Sequence, residues 1–196
     1  MNRRLFATAL LALLVTGLVA GCSGGGSRRP PRELRDAADS LSSWRWRADS
    51  VDAALGSMEL FKGQVPVGGG TASWAAWFDS GEVRVIHEEM NLGQLGSRSN
   101  RYYFEKGAVR FTLETGMVPT DSTQVLHRLD RAMLFDDFGT LRAGSKRLDS
   151  LGVAVAGYEA SATAGHAQQL RVAAQSARAG TTGPPPPPEG GVPARH

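Results

Sequence analysis

Two stretches of this chain are near-copies of each other, and they constrain the fold more than any other feature. Trp77-Phe78-Asp79-Ser80-Gly81-Glu82-Val83-Arg84-Val85 and Tyr103-Phe104-Glu105-Lys106-Gly107-Ala108-Val109-Arg110-Phe111 share one pattern: aromatic, Phe, acid, any residue, Gly, any residue, Val, Arg, apolar. A looser third copy, Phe135-Asp136-Asp137-Phe138-Gly139-Thr140-Leu141-Arg142, carries one extra residue before its glycine. β-formers on both sides of a short acid-x-Gly turn are a hairpin signal. The repeat therefore predicts a succession of antiparallel ribbons.

Around these copies the sequence predicts strands over 72–78 and 83–89, then 100–104 and 108–115, with the glycine- and serine-rich 91–100 as connector. Val109, Phe111 and Leu113 alternate with Arg110, Thr112 and Glu114, the pattern of a strand with one buried and one wet face. A further short strand fits 58–67, before the Gly68-Gly69-Gly70 loop. That loop lacks the following helix and the lysine that phosphate cradling needs. Residues 119–130 admit two readings: a helix capped by Thr120 or Asp121, or a strand over 123–135 that feeds the third hairpin and returns over 140–146. The third repeat copy favours the strand.

Helical periodicity flanks the ribbons. Leu34, Ala38, Leu41, Trp44, Ala48, Val51 and Leu55 step by three and four over 32–56. Trp46 falls off that stripe. The Ala- and Gln-rich 158–178 predicts a second helix that starts after Gly157. The expected class is α+β: an antiparallel meander of about six strands, with an N-terminal and a C-terminal helix packed on one face.

The ends are of a different kind. Arg3 and Arg4 precede an apolar run over 5–20, shorter than the ~20 residues of a membrane-spanning helix. It ends in Leu18-Val19-Ala20-Gly21-Cys22, which resembles the lipobox of bacterial lipoproteins. That resemblance implies cleavage before Cys22, a lipid anchor on it, and, with Ser23 behind it, sorting to the periplasmic face of the outer membrane. Cys22 is the only cysteine, so no disulfide can form within one copy. The resulting division is a leader over 1–21, an acylated linker over 22–31, one domain over 32–180, and a Gly/Pro tail over 181–196 that cannot bury a core.

The chain carries 22 Lys and Arg against 19 Asp and Glu; Arg3 and Arg4 belong to the leader, which leaves 20 against 19. That near-balance argues against nucleic acid as a partner. His87-Glu88-Glu89 is the best metal candidate, but the position four after His87 is Asn91, so the zinc-helix motif fails. On a strand His87 and Glu89 would share a face, two ligands short of a closed site. Asp136-Asp137 fits a turn-forming role. No nucleophile motif is present, and nothing calls for a metal or a cofactor.

The repeated arginines remain. Aligned hairpins would bring Arg84, Arg110 and Arg142 to one sheet face with Trp77 and Tyr103, a candidate surface for an envelope protein or an acidic glycan. The alternative is a solvated face on which they pair with Glu82, Glu88 and Glu114. The aromatic-acid-x-Gly hairpins resemble the MORN-like repeats of bacterial envelope proteins, which implies a structural or interaction role. Two functions follow as expectations: a non-enzymatic, lipid-anchored binding domain, or a carrier for a small apolar or lipid ligand in a cavity lined by Trp44, Trp74, Phe78 and Phe111.

Overall fold

The computed structural model describes residues 32–67, 70–120 and 125–182. Cys22 with its linker, the Gly68-Gly69 pair, Asp121 and the polyproline tail lie outside the described residues.

Helix α1 (Arg32–Ala53) is followed by a single 3₁₀ turn and then by strand β1 (Glu59–Val67). Next come β2 (Gly70–Asp79), β3 (Glu82–Asn91), β4 (Ser97–Glu105), β5 (Ala108–Pro119), β6 (Leu126–Phe135), β7 (Leu141–Leu148) and β8 (Leu151–Val153). Helix α2 (Gly157–Thr182) closes the described chain. Every strand pairs antiparallel with its sequence neighbours, giving one open sheet in the order β1 to β8. The meander and the two helices are thus as expected, but the strands number eight among the described residues rather than about six. The three-residue edge strand β8 had no sequence signal. β6 decides the ambiguous segment in favour of strand from Leu126 onward.

The repeat copies form three hairpins at one end of the sheet. Ser80 and Gly81 have φ of 53° and 86°, and Lys106 and Gly107 have 52° and 77°. Two successive positive φ values are what a type I′ turn demands, and its twist matches that of the flanking strands. The pairing register slips by one residue just past each turn, between Trp77 and Phe78, Tyr103 and Phe104, and Leu134 and Phe135. The extra residues on the returning strands are Arg84, Arg110 and Arg142. The conserved arginine of the internal repeat is therefore the bulge residue of each ribbon, and a bulge re-aims side chains and sharpens the strand's twist.

The helices do not share a face. Val85, Tyr103, Phe111, Ala132 and Leu134 pack with Leu41, Trp44 and Ala48 of α1. Trp74, Phe78, Ile86, Phe104 and Met133 pack with Ala160, Ala167, Leu170 and Ala174 of α2. This corrects the expectation of one covered face. Consecutive buried residues, such as Tyr102-Tyr103-Phe104 and 132–135, alternate sides, so both sides need a cover. It also separates the four aromatics expected to line one cavity: Trp44 and Phe111 belong to the α1 side, Trp74 and Phe78 to the α2 side.

α2 crosses the strands from β7 to β1. Glu159 meets Lys146 at one end, and Arg178 meets Glu59 at the other. Nineteen residues of helix rise about 29 Å, and six strand spacings measure about 29 Å. The turn glycines meet α2 at heptad intervals. A Cβ on Gly139 would lie 3.9 Å from Ala164 Cβ, one on Gly107 3.3 Å from Arg171 Nη1, and one on Gly81 3.6 Å from Arg178 Nη1. A heptad rises about 10.5 Å and one hairpin advances the sheet about 9.6 Å, so one turn falls under each heptad. Ala160, Ala167 and Ala174 repeat at the same interval, and their small side chains let the helix lie close to the sheet.

Candidate functional site

One row of residues across the α2 side breaks the apolar packing. Cross-strand pairing aligns Trp74 with Glu88, Glu88 with Asn100, Asn100 with Glu114, Glu114 with Arg131, and Arg131 with Lys146. Polar groups thus run without interruption over five adjacent strands. The adjoining row toward the turns, Ala76, Ile86, Tyr102, Thr112 and Met133, is mostly apolar. Above the polar row α2 presents Glu159, Thr163 and His166, spaced by four and three and hence on one helical stripe.

The Glu88 side chain is fully buried, with 0% of its surface exposed. Its carboxylate accepts from Asn100 Nδ2 at 3.0 Å, from the Tyr102 hydroxyl at 2.8 Å and from His166 Nε2 at 2.7 Å. Burial alone would raise its pKa, but the hydrogen bonds from His166, Asn100 and Tyr102 hold it below the ordinary carboxylate value. The same contact raises His166 above the ordinary histidine value, against the opposing pull of burial. Burial, and then the Glu88 charge, push Tyr102 far above the usual phenol range, so that hydroxyl stays a donor.

A second group adjoins the first. Arg131 pairs closely with Glu114 and reaches Glu159 at 3.6 Å. Lys146 Nζ lies 2.7 Å from Glu159, and Arg98 lies 3.4 Å from Glu114. Burial raises the Glu159 carboxyl, and the donors Lys146 and the Ala156 amide more than reverse that and lower it. A cavity of about 350 Å³ opens here between α2 and the sheet. Arg98, Arg131 and His166 line it with Glu114 and Glu159, and Met90, Tyr158 and Ala162 supply apolar wall.

The sequence-derived residues lie elsewhere. Arg84 and Tyr103 line a groove of about 220 Å³ beside α1, with Trp44, Trp46 and Arg47. Arg110 sits 6.0 Å from the Trp44 ring, on the same side. Trp77 packs edge-on against His87 at 4.9 Å. Tyr103 is buried, and its hydroxyl donates to Asp52 at 3.1 Å. Arg142 is largely exposed and sits at the third turn. The arginines do not pair with Glu82, Glu88 and Glu114 as the solvated-face reading supposed. Arg84 approaches Asp79 at 4.0 Å, Arg142 approaches Asp136 at 3.8 Å, and Arg110 pairs with Asp137. Each partner is an acid at the turn end of the sheet, where the bulges also lie.

Asp136 itself closes the third turn, accepting from the Phe138 and Thr140 amides at 2.9 Å each. His87 and Glu89 share the α1 side while Glu88 faces α2, and no metal-ligand cluster occurs among the described residues. The α2-side polar row was missed in the sequence, where Glu88 and Glu114 read as surface acids. The signal that could have found them is their spacing of two from a buried neighbour on the same strand, Ile86 for Glu88 and Thr112 for Glu114, which puts each on the same side of the sheet as that neighbour.

Among the described residues no helix is long and apolar enough to cross a membrane. Comparison with protein-family models, with curated proteins and with solved structures gave no match.

Proposed function

We propose that this chain is a lipid-anchored, non-enzymatic binding domain of the bacterial cell envelope, and that the cavity beneath α2 is where it takes a small polar solute. The anchor and the location at the periplasmic face of the outer membrane rest on the leader and on the lipobox-like Leu18 to Cys22. The cavity carries the rest. It is roomy, partly enclosed and bordered by several buried ionic groups, beside an apolar cluster on the same face. Its polar border favours a polar solute over the small apolar or lipid ligand of the carrier reading.

Two experiments test this. Fractionation of Cys22→Ser should move the protein out of the membrane fraction; retention there overturns the anchor. Ligand-observed NMR with a fragment mixture should show binding that Ala162→Phe abolishes by filling the cavity mouth. Equal binding by both chains overturns the site.

A second reading has its own observation. Trp46 is 71% exposed beside the α1 groove, where Arg47 lies 5.0 Å from the Trp44 ring. An aromatic patch edged by Arg47 and Arg84 fits an envelope protein or an acidic glycan. Loss of crosslinks to envelope components in Trp46→Ala/Arg84→Ala, with an unchanged melting curve, would support it.

A further inference from the structure

The cavity beneath α2 holds acids and bases in nearly equal number, yet the two are not equally available. Glu114 is 4% exposed and already faces Arg131 and Arg98. Glu159 accepts from Lys146 and from the Ala156 amide. Glu88 has three donors. The carboxylates are therefore saturated from within. Arg98, by contrast, is 38% exposed and has one long contact, at 3.4 Å to Glu114. His166 has one ring nitrogen committed to Glu88 and the other uncommitted. A carboxylate only accepts, so Nε2 must carry a hydrogen, and the titrating position is Nδ1. Below the pKa of His166 that nitrogen is a second donor at the cavity.

The charge tally points the same way. Arg98, Arg131, Lys146 and protonated His166 face Glu88, Glu114 and Glu159, and Tyr102 stays neutral. The cluster thus carries one net positive charge when His166 is protonated and none when it is not. One charge suits a monoanion rather than a phosphate dianion. The flat guanidinium of Arg98 suits the two oxygens of a carboxylate. Met90, Tyr158 and Ala162 give an apolar body something to lie on. At roughly 30 Å³ for each water-sized group, the cavity has room for about ten heavy atoms.

Resting on the cavity being the ligand site, we infer that its ligand is a small organic monocarboxylate, held through Arg98 with His166 as a second, pH-dependent donor. Binding weakens as pH rises and His166 gives up its Nδ1 proton, while the ligand stays ionised.

Isothermal titration of the full chain with sodium benzoate, and with benzamide as its uncharged isostere, tests this at about pH 6 and about pH 9. Saturable benzoate binding is expected at the lower pH, about fivefold or more weaker at the higher, with benzamide far weaker at both. Arg98→Met should remove benzoate binding at both pH values, and His166→Gln should leave weak binding without the pH dependence. Benzamide binding as well as benzoate, or benzoate binding that ignores Arg98→Met, overturns the anion assignment and leaves the cavity as a site. Failure of benzoate, while neutral fragments still enter the cavity and are displaced by Ala162→Phe, does the same. Failure of every ligand overturns both.

Discussion

His166 Nε2 lies 2.7 Å from Glu88 Oε1 and joins two residues that are 78 positions apart in sequence. This contact pins the middle of α2 to strand β3 under a carboxylate that two further donors already hold.

The pair should give stability a bounded pH window. Glu88 has a lowered pKa, so its contribution is present above the unfolded value of about 4.5 and is lost as pH falls through its folded pKa. His166 has a raised pKa, so its contribution is full below the unfolded value of about 6.5 and is lost as pH rises through its folded pKa. Melting temperature should be highest between these limits and decline on both sides. In His166→Gln the alkaline decline should disappear; a persistent decline in that variant would locate the pH sensitivity elsewhere.

Arg131 and Glu114 should show strong coupling. Arg131→Met leaves Glu114 and Glu159 short of a buried partner and should cost about 3–5 kcal/mol. Adding Glu114→Met should recover part of that loss, because both charges of the pair are then gone. Chemical denaturation of the two singles and the double would measure a coupling of about 1–3 kcal/mol. Simple additivity would mean the pair is not a unit.

The alanine heptad of α2 should resist enlargement. Ala167 is fully buried in the apolar cluster between α2 and the sheet. Ala167→Leu should destabilise by about 1–3 kcal/mol through overpacking. Ser161→Leu, on the exposed side of the same helix, should stay within about 0.5 kcal/mol. Equal effects would contradict the close seating of α2.

The second hairpin offers a stabilising change. Lys106 occupies the first positive-φ position of its turn at 52°, and asparagine tolerates that conformation better than lysine. Lys106→Asn should raise stability by about 0.5 kcal/mol. Gly107→Ala should lower it by about 1 kcal/mol or more, because φ is 77° and Arg171 Nη1 lies 3.3 Å from the added Cβ. Thermal melts of both variants would check the two signs.

Much of the architecture could be read directly from residues. The acid-x-Gly turns of Asp79 to Gly81 and Glu105 to Gly107 are local events, decided by which residues accept positive φ, and they emerged as hairpins. The strands beside them and both helices followed from periodicity over short windows. The position of the helices did not. A period of two says that one side of a strand is buried, but Val85-Ile86 and Tyr102-Tyr103-Phe104 bury both sides, and their runs had to be weighed together to show it.

The chain itself determined three related ribbons and two helices, since each depends on neighbours in sequence. Only the tertiary structure decided that Glu88, Asn100, Glu114, Arg131 and Lys146 form one row. Their separations of 12, 14, 17 and 15 residues follow no motif. Alignment across five strands depends on the length of every turn and on the one-residue slip beyond Tyr103. Moving either by a single residue would send a member of the row to the other face of the sheet. The cavity exists because those registers agree and because α2 sets His166 down over Glu88.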